Sequence, residues 1–209
     1  EIGGRVAASL AHDSTEIYQE GLRLPPLKLY EEGKPVDAIF KILEKNVRTP
    51  VMTLGDLRSL VGACYVGEQS FLRLVQHYGA ETMKGYTEEL LNYSEELTRA
   101  EIRTWPRGTY TFTDYVDDDG VGDSPIRICV TITVHRDSVD VDFTGTDPQQ
   151  KGASNCTPPS TKAMVYAAMR GVLHGDIPTN SGFYRPIRIH TPVGTVVNAA
   201  HPAAVATRH

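Results

Sequence analysis

Several features that would assign a protein class at sight are missing from this 209-residue sequence. It holds only three cysteines, Cys64, Cys129 and Cys156, far apart and in no C-x-x-C pair. That spacing excludes a thiolate zinc knot and a disulfide framework, and it suits a reducing, cytoplasmic setting. No apolar run approaches the roughly 20 residues that a membrane-spanning helix needs. Positive charge is not in excess: 21 Lys and Arg stand against 26 Asp and Glu, a formal net charge of −5. The basic footprint of a nucleic-acid binder is therefore absent. No cleavable leader is visible, the first residue is Glu1 and not Met, and no stop signal marks the run up to His209. The sequence is thus expected to be a truncated or processed piece of a longer chain.

Familiar chemical motifs are also missing. Residues 145–152 carry glycine but end in Lys-Gly, the reverse of a phosphate-cradling Gly-Lys-Ser/Thr, and no G-x-G-x-x-G follows a strand. No nucleotide site is expected here. Of the seven histidines, no two stand four apart, the spacing that clamps zinc on one helix face. The run Asp117-Asp118-Asp119-Gly120 invites a calcium loop. Counted from Asp117, however, the fifth position is Val121 and the twelfth is Ile128, where oxygen ligands are required. A polar turn is the expected reading.

What is present is an ordinary globular composition, with 40% hydrophobic and 22% charged residues. The length allows one large or two small domains with a sizeable core. Residues 1–35 are punctuated by Gly3, Gly4, Gly21, Pro25, Pro26, Gly33 and Pro35 and read as loop, with one short helix capped by Asp13 or Ser14. Residues 36–106 read as helical. A short amphipathic helix centres on Ile39, Phe40 and Leu43. A long one over 53–78 carries Leu57, Leu60, Val61, Cys64, Phe71, Leu74, Val75 and Tyr78 at helical spacing. Gly79 stops it, and a second long helix runs to about 104 before Pro106, which predicts an antiparallel hairpin. Cys64, on the apolar face, is expected to pack in the core.

From residue 107 the period changes to two. Residues 109–115 read as a strand, and 126–134 alternate Ile126, Ile128, Val130, Ile132 and Val134 with Arg127, Cys129, Thr131 and Thr133. Val139, Val141 and Phe143 continue a buried face. A helix starts at Ser160 or Thr161, and 183–198 return to strand. The predicted fold class is α+β: a helical hairpin, then an antiparallel β-meander with one covering helix, within a larger subunit. Residues 1–35, 36–106 and 107–209 are its three expected regions. Cys156, between Asn155 and Thr157, reads as a structural loop cysteine, with a nucleophile as the alternative. His12 stands out among the histidines for its neighbours Asp13, Glu16 and Glu20.

Several strings, in order and in register, are more specific than any spacing. Residues 13–29 (DSTEIYQEGLRLPPLKL), Asn46-Val47-Arg48-Thr49-Pro50 with Gly55-Asp56-Leu57-Arg58, Asp117-Asp118-Asp119-Gly120, residues 141–146 (VDFTGT), Pro186-Ile187-Arg188, and Pro202-Ala203-Ala204-Val205 with Arg208 together resemble the hydantoinase B/5-oxoprolinase family across the chain. That family includes the B-type subunits of ATP-dependent hydantoinases and is related to acetone and acetophenone carboxylases. The resemblance implies a B-type subunit of an ATP-dependent cyclic amide hydrolase, in a hetero-oligomer with an A-type subunit. The A-type partner would use ATP to activate a carbonyl oxygen, with no ATP bound here. The alternatives are a ketone carboxylase subunit and a non-catalytic assembly subunit. The resemblance also implies a divalent metal (Zn, Mn or Fe). The family's His-x-x-Asp-type motif stands immediately before Gly-Gly, where Glu1 replaces the Asp. Glu1 is therefore the implied metal ligand, and His12, Asp13, Glu16, Glu20, Arg23 and Asn155 are candidates for lining the site.

Overall fold

A computed structural model describes residues 13–206. After a single 3-10 turn at Ile17–Gln19, a two-residue ribbon pairs β1 (Tyr30–Glu31) with β2 (Lys34–Pro35). Three helices follow: α1 (Asp37–Asn46), α2 (Pro50–Tyr78) and α3 (Ala80–Ile102). Pro50 opens α2, where its missing N–H and fixed φ cost nothing. Gly79 joins α2 to α3 alone, at φ 85°, a conformation that side chains with a Cβ avoid. The predicted hairpin is present.

The apolar face that the spacing shows on α2 is largely exposed. Along all 29 residues of α2 the only buried residue is Leu54. Leu60, Phe71, Leu74 and Tyr78 are exposed, as is Cys64, so Cys64 is not a core residue. The buried residues of the hairpin other than Leu54 lie in the C-terminal part of α3. There Ser94, Thr98 and Ile102, on one face of that helix, are buried.

The body is a four-stranded sheet in the order β3-β4-β5-β6, from β3 (Gly108–Val116), β4 (Ile126–Val134), β5 (Val139–Asp142) and β6 (Ile187–His190). β3 and β4 pair over nine residues from Gly108↔Val134 to Val116↔Ile126, and β5 pairs antiparallel with β4. These three strands are the predicted meander. The fourth pairs parallel to β5, Val139 against Ile187, which makes the sheet mixed. A parallel neighbour needs a crossover. Here α4 (Pro158–Val172) and α5 (Ser181–Tyr184) supply it, two helices where one was expected. Of the strand expected over 183–198, only Ile187–His190 is regular.

Ile126, Val134, Val139, Val141, Ile187 and Phe183 are buried between sheet and helices, with Ile102 of α3 and Met169 of α4. The short helix α5 is fixed at both ends. Asn180 Oδ1 accepts from Gly182 N–H at 2.9 Å while its Nδ2 donates to Ser94 Oγ at 2.8 Å. Arg185, just after α5, bonds Glu95 Oε2 at 2.9 Å, and Arg99 bonds Glu95 Oε1 at 2.7 Å. These two guanidinium hydrogen bonds hold the Glu95 carboxyl below the usual glutamate range.

Candidate functional site

Four stretches distant in sequence are tied together by three buried polar side chains. Asp119, 6% exposed, accepts from Val121 N–H and Gly122 N–H through Oδ1, and from Gly152 N–H at 2.7 Å through Oδ2. Burial alone would raise its carboxyl. The backbone N–H groups of Gly122, Gly152 and Val121 outweigh that and hold it below the ordinary aspartate value. Both Asp119 carboxylate oxygens, which a calcium loop would turn to the ion, therefore accept from backbone N–H groups. Gly152 must be glycine here, because a Cβ would lie 1.7 Å from the Asp119 carbonyl oxygen.

Asn155, fully buried, carries the connection onward. Its Oδ1 accepts from Gln150 N–H at 2.7 Å, and its Nδ2 donates to the carbonyls of Gln150, Gly152 and Ala204 at 2.9–3.0 Å. The segment around Ala204 is held on its other side by Glu20, 7% exposed. One Glu20 oxygen accepts from both Val205 N–H and Ala206 N–H at 2.7 Å. Ile17 N–H donates to Pro202 O at 2.9 Å, and Ala200 N–H to Gln149 Oε1 at 2.7 Å.

At the outer surface of this junction three functional groups meet. An Arg23 terminal nitrogen lies 2.8 Å from His201 Nε2, and the Tyr18 hydroxyl lies 3.3 Å from the same nitrogen. A guanidinium only donates. Nε2 therefore accepts and the ring proton is on Nδ1. The Arg23 guanidinium also stands over the Tyr18 ring, 5.2 Å from its centre, and the Tyr18 and His201 rings meet edge to face.

Val196 and Val197 border a cavity of about 190 Å³. Ile128, Phe143, Met164 and Val165 line it, together with Cys156 and Thr161. Backbone bonds from Cys156 N–H to Val196 O and from Ala199 N–H to Cys156 O hold its wall in place. Thr161 donates its hydroxyl to Val197 O at 2.7 Å. A largely apolar wall of this size suits a hydrocarbon group of a few carbons.

Of the site residues expected from sequence, Glu1 and His12 lie outside the described residues. Asp13 and Glu16 are exposed at the start of the N-terminal segment. Glu20 and Asn155 are buried and bond backbone groups, and Arg23 is exposed beside His201. In sequence Asp119 reads only as part of a polar turn and His201 only as a loop histidine, and neither Tyr18 nor Gly152 is given a site role. Their partners lie far along the chain, as Gly152 does from Asp119 and His201 from Tyr18, so no local pattern shows those contacts. Among the described residues no three His, Cys, Asp or Glu side chains converge on a point where a metal ion could sit.

The whole chain, residues 1–209, matches the hydantoinase B/oxoprolinase family. The chain belongs to that family. An inferred B-type subunit of a D-/L-hydantoinase from Pseudomonas sp. (strain NS671) is 34% identical over an alignment of 207 residues that covers 94% of this chain and 35% of that protein. The crystal structure of ATP-dependent caprolactamase from Pseudomonas jessenii superposes on 99% of the chain with a TM-score of 0.87 at 30% identity, over 36% of its own length. Nucleotide-free acetone carboxylase shares the fold, with a TM-score of 0.91 over 99% of the chain and 29% of its own, at 18% identity. The chain thus spans about a third of the length of these hydantoinase B/oxoprolinase relatives. No helix among the described residues is long and apolar enough to cross a membrane.

Proposed function

We propose that this chain is part of the B-type subunit of an ATP-dependent cyclic amide hydrolase, working with an A-type subunit that binds ATP. The observation that carries the reading is the 30% identity at a TM-score of 0.87 to an enzyme named ATP-dependent caprolactamase, over 99% of the chain. The hydantoinase relative is named as one lettered subunit of its enzyme, which supports a partner of a second type.

The chemistry explains why ATP is needed. An unstrained amide is a poor electrophile, because nitrogen donates into the carbonyl. Phosphoryl transfer to the carbonyl oxygen, with release of ADP and loss of the N–H proton, turns the amide into an O-phosphorylated C=N group whose carbon becomes a good electrophile once the nitrogen is protonated. Water then adds to the carbon, the ring C–N bond breaks, and the nitrogen leaves as an amine once protonated. The acyl phosphate so formed takes a second water and releases phosphate. The net change is one ring opened and one ATP hydrolysed. The apolar cavity beside Cys156 suits the methylene part of such a ring, which offers nothing to hydrogen-bond.

The test is reconstitution of the complete subunit with its partner and a panel of hydantoins, lactams and 5-oxoproline. Ring opening is expected only with ATP and both subunits present. Full activity from the partner alone would overturn the reading.

A further inference from the structure

Glu20 and Asn155 are both at least nine-tenths buried, and each bonds the segment that bears His201. The residues so fixed present three polar groups outward: Tyr18, 58% exposed, with Arg23 and His201, both exposed. Tyr18 belongs to the 3-10 turn that ends at Glu20, and His201 precedes Pro202, which accepts from Ile17. Both halves of the cluster are therefore held from below.

The hydrogen-bond capacity at this cluster is unbalanced. Nε2 of His201 has one lone pair, and the Arg23 N–H at 2.8 Å takes it. The Tyr18 hydroxyl at 3.3 Å is left with a proton to give elsewhere. Arg23 has five N–H donors, and among the described residues no carboxylate pairs with it. A fork of guanidinium N–H groups beside a phenol O–H fits the paired oxygens of a phosphate or carboxylate.

We propose that Tyr18, Arg23 and His201 form an oxyanion-binding site, in which Arg23 and Tyr18 donate to the ligand and His201 orients Arg23. The assignment deepens the amide-hydrolase reading and rests on it only for the ligand's source. The activated carbonyl carries a phosphoryl group, and the opened ring carries a carboxylate. His201 is a positioning residue in this scheme, since it acts through Arg23.

The test is arginine footprinting on the complete subunit with its partner. The phenylglyoxal modification rate of Arg23 is read by peptide mass spectrometry, with inorganic phosphate or acetate as probe and Arg107 as an exposed control. One or both anions are expected to slow modification of Arg23 at least fivefold and leave Arg107 unchanged. Protection by phosphate alone assigns the phosphoryl group, and protection by acetate assigns a carboxylate. The protection is expected to fall several-fold in Tyr18→Phe and His201→Gln, with the melting temperature of each variant unchanged. An Arg23 rate indifferent to both anions, or protection that survives in both variants, overturns the site. Failure of the amide-hydrolase reading looks different: phosphate still protects Arg23, yet the complex opens no cyclic amide.

Discussion

Glu20 and Ala206, 186 positions apart in the chain, are joined by a 2.7 Å hydrogen bond from the Ala206 N–H to a buried carboxylate oxygen. The same oxygen accepts from Val205 N–H. A single side chain thus fastens the two ends of the described chain to each other. Replacing it by alanine leaves two N–H groups without their acceptor. Glu20→Ala is expected to destabilise the fold by about 2–3 kcal/mol, and Glu20→Gln, which keeps a neutral acceptor, by about 1 kcal/mol. Urea unfolding of the three proteins measures the difference. Equal stability of all three would show that the Glu20 contacts contribute nothing net.

Asn155 separates hydrogen bonding from packing. Its amide N–H₂ faces three carbonyl oxygens, and it is wholly buried. Asn155→Asp keeps the shape but sets a carboxylate against those oxygens. Asn155→Asp is expected to cost more than Asn155→Ala, and both about 3 kcal/mol or more. Thermal unfolding ranks them, and the reverse order would contradict the assigned amide orientation.

Two glycines are required by close approach and not by their backbone angles. A Cβ at Gly152 would meet the Asp119 carbonyl at 1.7 Å, and one at Gly182 would meet the Leu91 carbonyl at 1.9 Å. Gly152→Ala and Gly182→Ala are each expected to cost about 3 kcal/mol or more. Gly62→Ala, in open space on α2, is expected to be neutral or stabilising, since alanine favours helix by about 1 kcal/mol. The same unfolding assay compares the three.

Asp119 gives a pH signature. Its carboxyl is held below the ordinary aspartate value of about 4 by the Gly122, Gly152 and Val121 amides, against the opposing effect of burial. A group whose folded value is depressed binds its proton less readily in the native state than in the unfolded state. Its stabilisation is therefore fully present above about pH 5 and is lost as the pH falls through the folded value. Wild type is expected to lose more stability between pH 5 and pH 3 than Asp119→Asn does. Parallel pH profiles for the two proteins would contradict the assignment.

Much of the fold was legible because it follows local periodicity. The alternation of Ile126 through Val134, the turn at Asp117–Gly120 and the stop at Gly79 each depend on neighbours in sequence. The parallel pairing of Ile187 with Val139 is not written locally, nor is α5, whose cap Asn180 leans on Ser94 of a distant helix. The spacing of Leu60, Phe71 and Leu74 correctly showed a helix and an apolar face, but no periodicity says what meets that face. Composition and spacing hide the candidate site for the same reason. Tyr18 and His201 lie 183 positions apart, and only the folded chain brings them together.

The proposed function is tested most directly by counting ADP against rings opened in the complete two-subunit enzyme supplied with its best cyclic amide. The account expects one ADP per ring opened, and no ring opening when ATP is withheld. Ring opening at the same rate without ATP, or ATP use that instead fixes bicarbonate onto a ketone with the cyclic amide untouched, would contradict it.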